Sequence, residues 1–127
     1  MNNMIIKTEN LVKTYNTKVK AYALRGIDLE IPMCSFSCII GPSGHGKSTL
    51  IHLIGGLDRP TEGHVFIDGA DITGLSNSEL TKFRASKIGF VFQFFNLLPN
   101  HSQFPPKFFS FFFRKYCFLI TLIFFVV

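Results

Sequence analysis

No acidic residue follows Glu79 in this 127-residue chain, and that absence locates its charge. The formal net charge is +5, yet through Glu79 seven lysines and arginines face eight aspartates and glutamates. The excess is carried by Lys82, Arg84, Lys87, Lys107, Arg114 and Lys115. The chain therefore has no basic stripe of the kind that tracks a phosphate backbone, and no nucleic-acid partner is expected. Cysteine is scarce: Cys34, Cys38 and Cys117 are odd in number and lack metal-ligand spacing, which suits a reduced, cytosolic compartment. A long apolar leader is also missing, because Lys7 and Glu9 interrupt the N-terminal stretch where a secretory signal would need an apolar core. At this length one core is expected.

Against these absences stands one uninterrupted pattern. Gly41-Pro42-Ser43-Gly44-His45-Gly46-Lys47-Ser48-Thr49 matches G-x-x-x-x-G-K-[ST], a loop whose backbone N–H groups cradle phosphates. Its flanks agree: Phe36 to Ile40 reads as a short strand and Ser48 to Ile54 has the apolar spacing of a helix. In that arrangement the glycines let N–H groups point inward at the positive end of the helix. Lys47 would reach the β- and γ-phosphates, Ser48 would place its hydroxyl on Mg²⁺, and Thr49 would support the loop near the α-phosphate. The alternative, a glycine-rich turn that binds nothing, does not account for nine consecutive residues in this context. His45 contributes a backbone N–H, so its side chain is expected in solvent; altered nucleotide handling is the other reading.

Upstream, Met4 to Lys7 and Leu24 to Ile31 read as strands, the second by alternation. Downstream, Gly55-Gly56 and Pro60 stop the helix, and His64 to Ile67 followed by Asp68-Gly69 reads as a strand entering a tight turn. The glycine after Asp68 and the lack of a following glutamate argue against that aspartate as a Mg²⁺ ligand. Ser76-Asn77-Ser78-Glu79 is a capping box that opens a short helix through about Arg84, and Ile88 to Phe92 reads as an apolar strand ending at Gln93.

Five segments in order carry a family resemblance: Asn10-Leu-Val-Lys-Thr-Tyr15, Ala23-Leu-Arg-Gly-Ile-Asp28, the phosphate loop, Gly55-Gly-Leu-Asp-Arg-Pro60, and Ile88-Gly-Phe-Val-Phe-Gln-Phe-Phe-Asn-Leu-Leu-Pro99. From about Ile5 to Pro99 the chain resembles the N-terminal part of the ATP-binding subunit of an ABC transporter. Within that family it is similar to the subgroup serving macrolide export, lipoprotein release and antimicrobial-peptide resistance. The resemblance implies an α/β P-loop NTPase fold of ABC ATPase type, with an N-terminal antiparallel β portion and an incomplete parallel sheet. It implies ATP and Mg²⁺ as cofactors, Tyr15 as the aromatic that stacks on adenine, and Gln93 as the Q-loop glutamine near Mg²⁺ or attacking water. Read without the family, Tyr15 is an exposed turn tyrosine and Gln93 a polar strand end. The implied partners are a membrane-spanning permease subunit and a second ATPase subunit, and the implied location is the cytoplasmic face of the cell membrane. A different P-loop enzyme, such as a small-molecule kinase, fits less well with about forty β-rich residues before the loop, Tyr15 and Gln93.

Two departures from the family pattern stand out. Cys34-Ser35 replaces the usual Gly-Glu before the loop strand, removing a glycine from a turn, which is expected to strain it. The 127 residues also contain no LSGGQ signature, no Walker B aspartate with its catalytic glutamate, and no switch histidine. The expected organisation is a partial nucleotide-binding domain over 1–100 and an aberrant tail over 101–127, where nine of the sixteen phenylalanines lie. Tyr116 to Val127 would span only ~18 Å as a helix against ~30 Å of hydrocarbon, and a longer span would place Arg114 and Lys115 at its middle. An out-of-frame tail is the expected origin, and a non-catalytic nucleotide-binding remnant is the alternative to a working transport ATPase.

Overall fold

The computed structural model describes residues 4–16 and 20–90. The chain pairs two long strands, β1 (Met4–Asn16) and β2 (Lys20–Pro32), then forms the helix α1 (Lys47–Ile54). Two shorter strands, β3 (Glu62–Ile67) and β4 (Ala70–Asp71), and the helix α2 (Asn77–Lys87) follow. The strands make a single sheet in the order β2-β1-β3-β4, and every described pair is antiparallel. This is the N-terminal antiparallel portion expected from the sequence.

β1 is central, and among several register irregularities along it one, at Asn10, is shared with both neighbouring strands. Asn10 takes a left-handed φ of 45°, and the register slips between Thr8 and Leu11 against β2 and between Glu9 and Val12 against β3. A bulge leaves backbone groups without ladder partners. The Asn10 N–H donates to the Asp28 carboxylate at 2.7 Å, and the Thr8 hydroxyl donates to the Ile27 carbonyl at 2.9 Å. On the other side Gly63 approaches so closely that a Cβ would collide with the carbonyl oxygens of Glu9 and Asn10. Only glycine fits there. The bulge returns Leu11 to the buried face, where it joins Val65, Ile67, Leu53 and Ile54 in the core. α1 lies against β1, β2 and β3 and buries Leu53 and Ile54, which fixes the helix relative to the sheet.

The local signals read from the sequence form as expected. Ser76 Oγ accepts from the Glu79 N–H while Glu79 Oε2 accepts from the Ser76 N–H, closing the capping box, and α2 continues past Arg84 to Lys87. Asp68 and Gly69 both have positive φ, which suits the tight turn between β3 and β4. Asp68 also pairs with Lys87 at 2.7 Å, tying that turn to the end of α2.

One apolar run expected to be a strand forms no ladder among the described residues, and the other is described only in part. Phe36 to Ile40 belongs to no ladder, with Phe36 68% and Ile40 83% exposed. Ile88 to Phe90 is likewise outside any strand, while Val91, Phe92 and the glutamine after them, Gln93, lie outside the described residues. The reason is that a strand is a pairing, not a property of its own side chains: an apolar run without a hydrogen-bonded neighbour forms no ladder. Among the described residues no strand lies beside Phe36 to Ile40.

The turn that leads into this segment is strained as expected. Cys34 adopts φ 55°, a region that costs an L side chain about 1–2 kcal/mol and glycine almost nothing. Cys34→Gly is expected to raise the unfolding free energy by about 1 kcal/mol, the relief being partly offset by glycine's extra unfolded-state freedom. Urea denaturation of the two proteins checks this, and an unchanged or lowered midpoint contradicts it.

Candidate functional site

The nine-residue motif folds into a loop that enters α1 directly. Gly46 is the residue before the helix, at φ 78°, and Lys47 is its first residue. No side chain caps this helix start and no acid occupies its first turn, so its leading N–H groups face the loop concavity without a competing carboxylate. A cavity of about 360 Å³ opens there, lined by every motif residue except His45, together with Ala23 of β2. His45 Nδ1 lies 3.0 Å from the Ser43 carbonyl, and the residue is exposed and outside the cavity lining. Lys47 Nζ donates to the Pro42 carbonyl, which keeps the ammonium inside the loop.

What presses the loop onto the sheet is a backbone contact. A Cβ on Gly46 would collide with the Ala23 carbonyl oxygen and lie 3.0 Å from the Leu24 side chain. The glycine is therefore required by the neighbouring strand as well as by its own left-handed φ. The motif does not mark Ala23 as a site residue, because it lies well before Gly41 in the chain, just ahead of the alternating run that begins at Leu24.

The residues fit a polyphosphate. The donors are backbone N–H groups, one ammonium from Lys47 and the hydroxyls of Ser43, Ser48 and Thr49, with no carboxylate in the lining among the described residues. A divalent cation would find the Ser48 hydroxyl here; Gln93, the other expected contact, lies outside the described residues. Asp68, bound to Lys87, does not line the cavity. Tyr15 does not line it either. It stands near the end of β1, opposite Ala21 and two positions along β2 from Ala23, and is 40% exposed.

The segment after α1 ties the site to the rest of the fold. Asp58 pairs with Lys13 at 2.8 Å, and Lys13 also donates to the Arg59 carbonyl at 2.6 Å. The Arg59 guanidinium reaches the carbonyls of Thr73 and Leu75 and the side chain of Asn77, so it fastens the start of α2. Partial burial by itself would raise the Asp58 carboxyl, but Lys13, the Arg59 N–H and the Tyr15 hydroxyl together hold it below its ordinary value.

Comparison with known proteins agrees with this geometry. The sequence profile of the ABC transporter family matches residues 24–106. An uncharacterized ABC transporter ATP-binding protein of Methanocaldococcus jannaschii is 51% identical over 96 residues, covering 75% of this chain and 41% of the relative. The lipoprotein-releasing system ATP-binding protein LolD of Buchnera aphidicola is 45% identical over 98 residues, covering 76% of this chain and 43% of the relative. Among solved structures, a dimeric post-hydrolysis ATP-binding cassette bound to ADP and Pi superposes with a TM-score of 0.70 at 50% identity, over 75% of this chain and 41% of that one. The chain thus spans about two fifths of the length of these relatives.

The seating of the loop can be tested at its glycines. Gly44→Ala and Gly46→Ala both place a side chain at a φ near 79°, but Gly44 has open space around it whereas Gly46 meets a carbonyl. Gly46→Ala should therefore lose at least about 1 kcal/mol more stability than Gly44→Ala, since the clash adds to a shared backbone strain. Equal losses in urea melts would show that β2 yields freely at Ala23.

The ion pair behind the site can be tested with acid. A carboxyl lowered in the folded state contributes stability above its unfolded value of about 3.9, and loses it as pH falls through the lower folded value. Asp58→Asn should remove this component, giving a shallower decline of stability below about pH 4 than wild type. Identical acid limbs for the two proteins would contradict the Lys13–Asp58 assignment.

Proposed function

Because the chain belongs to the ABC transporter family, whose members bind ATP, we propose that residues 41–49 hold the triphosphate of ATP. The observation that carries this reading is the carboxylate-free cavity at the uncapped start of α1, with Lys47 inside it. In this reading the backbone N–H groups of the loop bind phosphate oxygens, and Lys47 neutralises charge at the β/γ end. Ser48 offers its hydroxyl to Mg²⁺, with Gln93 as a second contact, and Thr49 supports the α-phosphate side. Mg²⁺ supplies charge neutralisation between the β- and γ-phosphates when bound. Tyr15 offers a ring for the adenine at the neighbouring end of the β1–β2 hairpin.

The biological setting is the energy-coupling component of an export or lipoprotein-release system at the inner face of the cell membrane. Its partners would be a membrane-spanning permease and a second ATPase subunit. The described residues contain no helix long and apolar enough to cross a membrane, so attachment through such a permease supplies the membrane link in this reading. The division into a partial nucleotide-binding domain over 1–100 and a tail over 101–127 is part of the same proposal.

Binding and turnover make different demands. The first needs the loop, Lys47 and Ser48, whereas hydrolysis needs a positioned water, a base and a charge clamp around the γ-phosphate. The 127 residues lack the signature, the Walker B acids and the switch histidine that provide these in the family. The 127-residue chain is therefore expected to bind ATP and to release phosphate no faster than its Lys47→Ala variant. Titration with labelled ATP should show binding that Lys47→Ala abolishes; equal affinity would mean that the loop does not hold phosphate. Steady phosphate release with Mg²⁺ and saturating ATP that disappears in Lys47→Ala would show that these 127 residues assemble a hydrolytic site.

A further inference from the structure

Lys13, two residues earlier on β1, and Asp58, from the segment after α1, meet at the ring of Tyr15, and neither belongs to the phosphate loop. Lys13 lies on β1 with its side chain only 12% exposed, deep for an ammonium. Its Nζ is 2.8 Å from Asp58 Oδ2, 2.6 Å from the Arg59 carbonyl and 5.2 Å from the centre of the Tyr15 ring. The same Asp58 Oδ2 receives the Tyr15 hydroxyl at 3.4 Å, a long bond that restrains more than it stabilises. Asp58 is itself fixed, because its other oxygen accepts the Arg59 N–H at 2.7 Å and Arg59 is fastened to the start of α2.

We infer that the Lys13–Asp58 ion pair is a positioning device that holds Tyr15 in the orientation needed to take a nucleobase. Lys13 covers one face of the ring, so a base stacks on the opposite face; Asp58 restrains the hydroxyl end against rotation. The device joins the segment following α1 to the base-binding end of the hairpin, so the phosphate-binding helix and the aromatic platform are set by one connection. This rests on the reading of Tyr15 as the adenine contact. An aromatic ring left to sample its rotamers must be ordered on binding, whereas one already held loses little more. The ammonium and the carboxylate also depend on each other, since removing one partner leaves the other uncompensated.

The test uses the full 127-residue chain, with ATP and inorganic tripolyphosphate as the two probes. Tripolyphosphate reports the loop alone, and the ratio of the two affinities reports the base contact. Asp58→Asn should weaken ATP by roughly fivefold, the scale of one aromatic contact, and leave tripolyphosphate unchanged. Asp58→Glu, which can still reach Lys13, should recover part of the loss. In a Tyr15→Ala background, Asp58→Asn should have no further effect on ATP. If Asp58→Asn weakens both probes equally, the pair acts through the fold of the loop and the positioning role is overturned. If Tyr15→Ala weakens ATP while Asp58→Asn does not, the ring needs no such restraint and the proposal fails alone. If Tyr15→Ala leaves ATP affinity unchanged, the adenine contact itself is wrong and both readings fall together.

Discussion

The contact between Gly46 and the Ala23 carbonyl is the point at which the phosphate loop is seated on the sheet. A helix start is useful as an anion site only if its N–H groups hold still, and an isolated eight-residue helix would not be stable in water. Here α1 is held at one end by Leu53 and Ile54 in the core and at the other by the close approach of Gly46 to β2. The loop that enters it has little freedom left. Holding the loop end at Gly46 against β2 lowers the cost of ordering its backbone donors when a ligand binds.

That seating depends in turn on the bulge in β1. By turning at Asn10 the central strand keeps Thr8 and Leu11 both on the interior and brings β2 and β3 to it in shifted registers. The displaced N–H is answered by Asp28 and the crowding by Gly63. Both residues therefore have structural explanations, although Asp28 occurs in a segment that also marks the family. Motif membership and a place in the site are separate properties: among the described residues of the family-like segments, the phosphate loop lines the cavity and the others add only Ala23 from β2.

Polar links complete the frame. Arg59 fastens α2, the Arg84 guanidinium reaches the Gly56 carbonyl at 3.2 Å, and Lys13 with Asp58 ties the segment after α1 back to β1. The two arginines donate to backbone carbonyls and Lys13 is largely buried against Asp58, so these links set geometry between distant segments. Each one fixes a loop to an element that is already in place.

Features with local causes were legible in the residues alone. The nine-residue loop, the helix after it, the capping box at Ser76 and the turn at Asp68-Gly69 are each set by residues within a few positions of one another, so their conformations could be read directly. The strain at Cys34 was legible for the same reason, since a turn that wants glycine penalises any other residue. Relations between distant segments came from the folded chain and from nothing shorter. Phe36 to Ile40 has the composition of a strand but no described neighbour to pair with, and pairing is not encoded in the run itself. Ala23 as a wall of the cavity, and Lys13 with Asp58 around Tyr15, depend on which strand lies beside which loop. Those contacts arise when the bulged β1 brings its two neighbours together, a long-range outcome that no spacing along the chain announces.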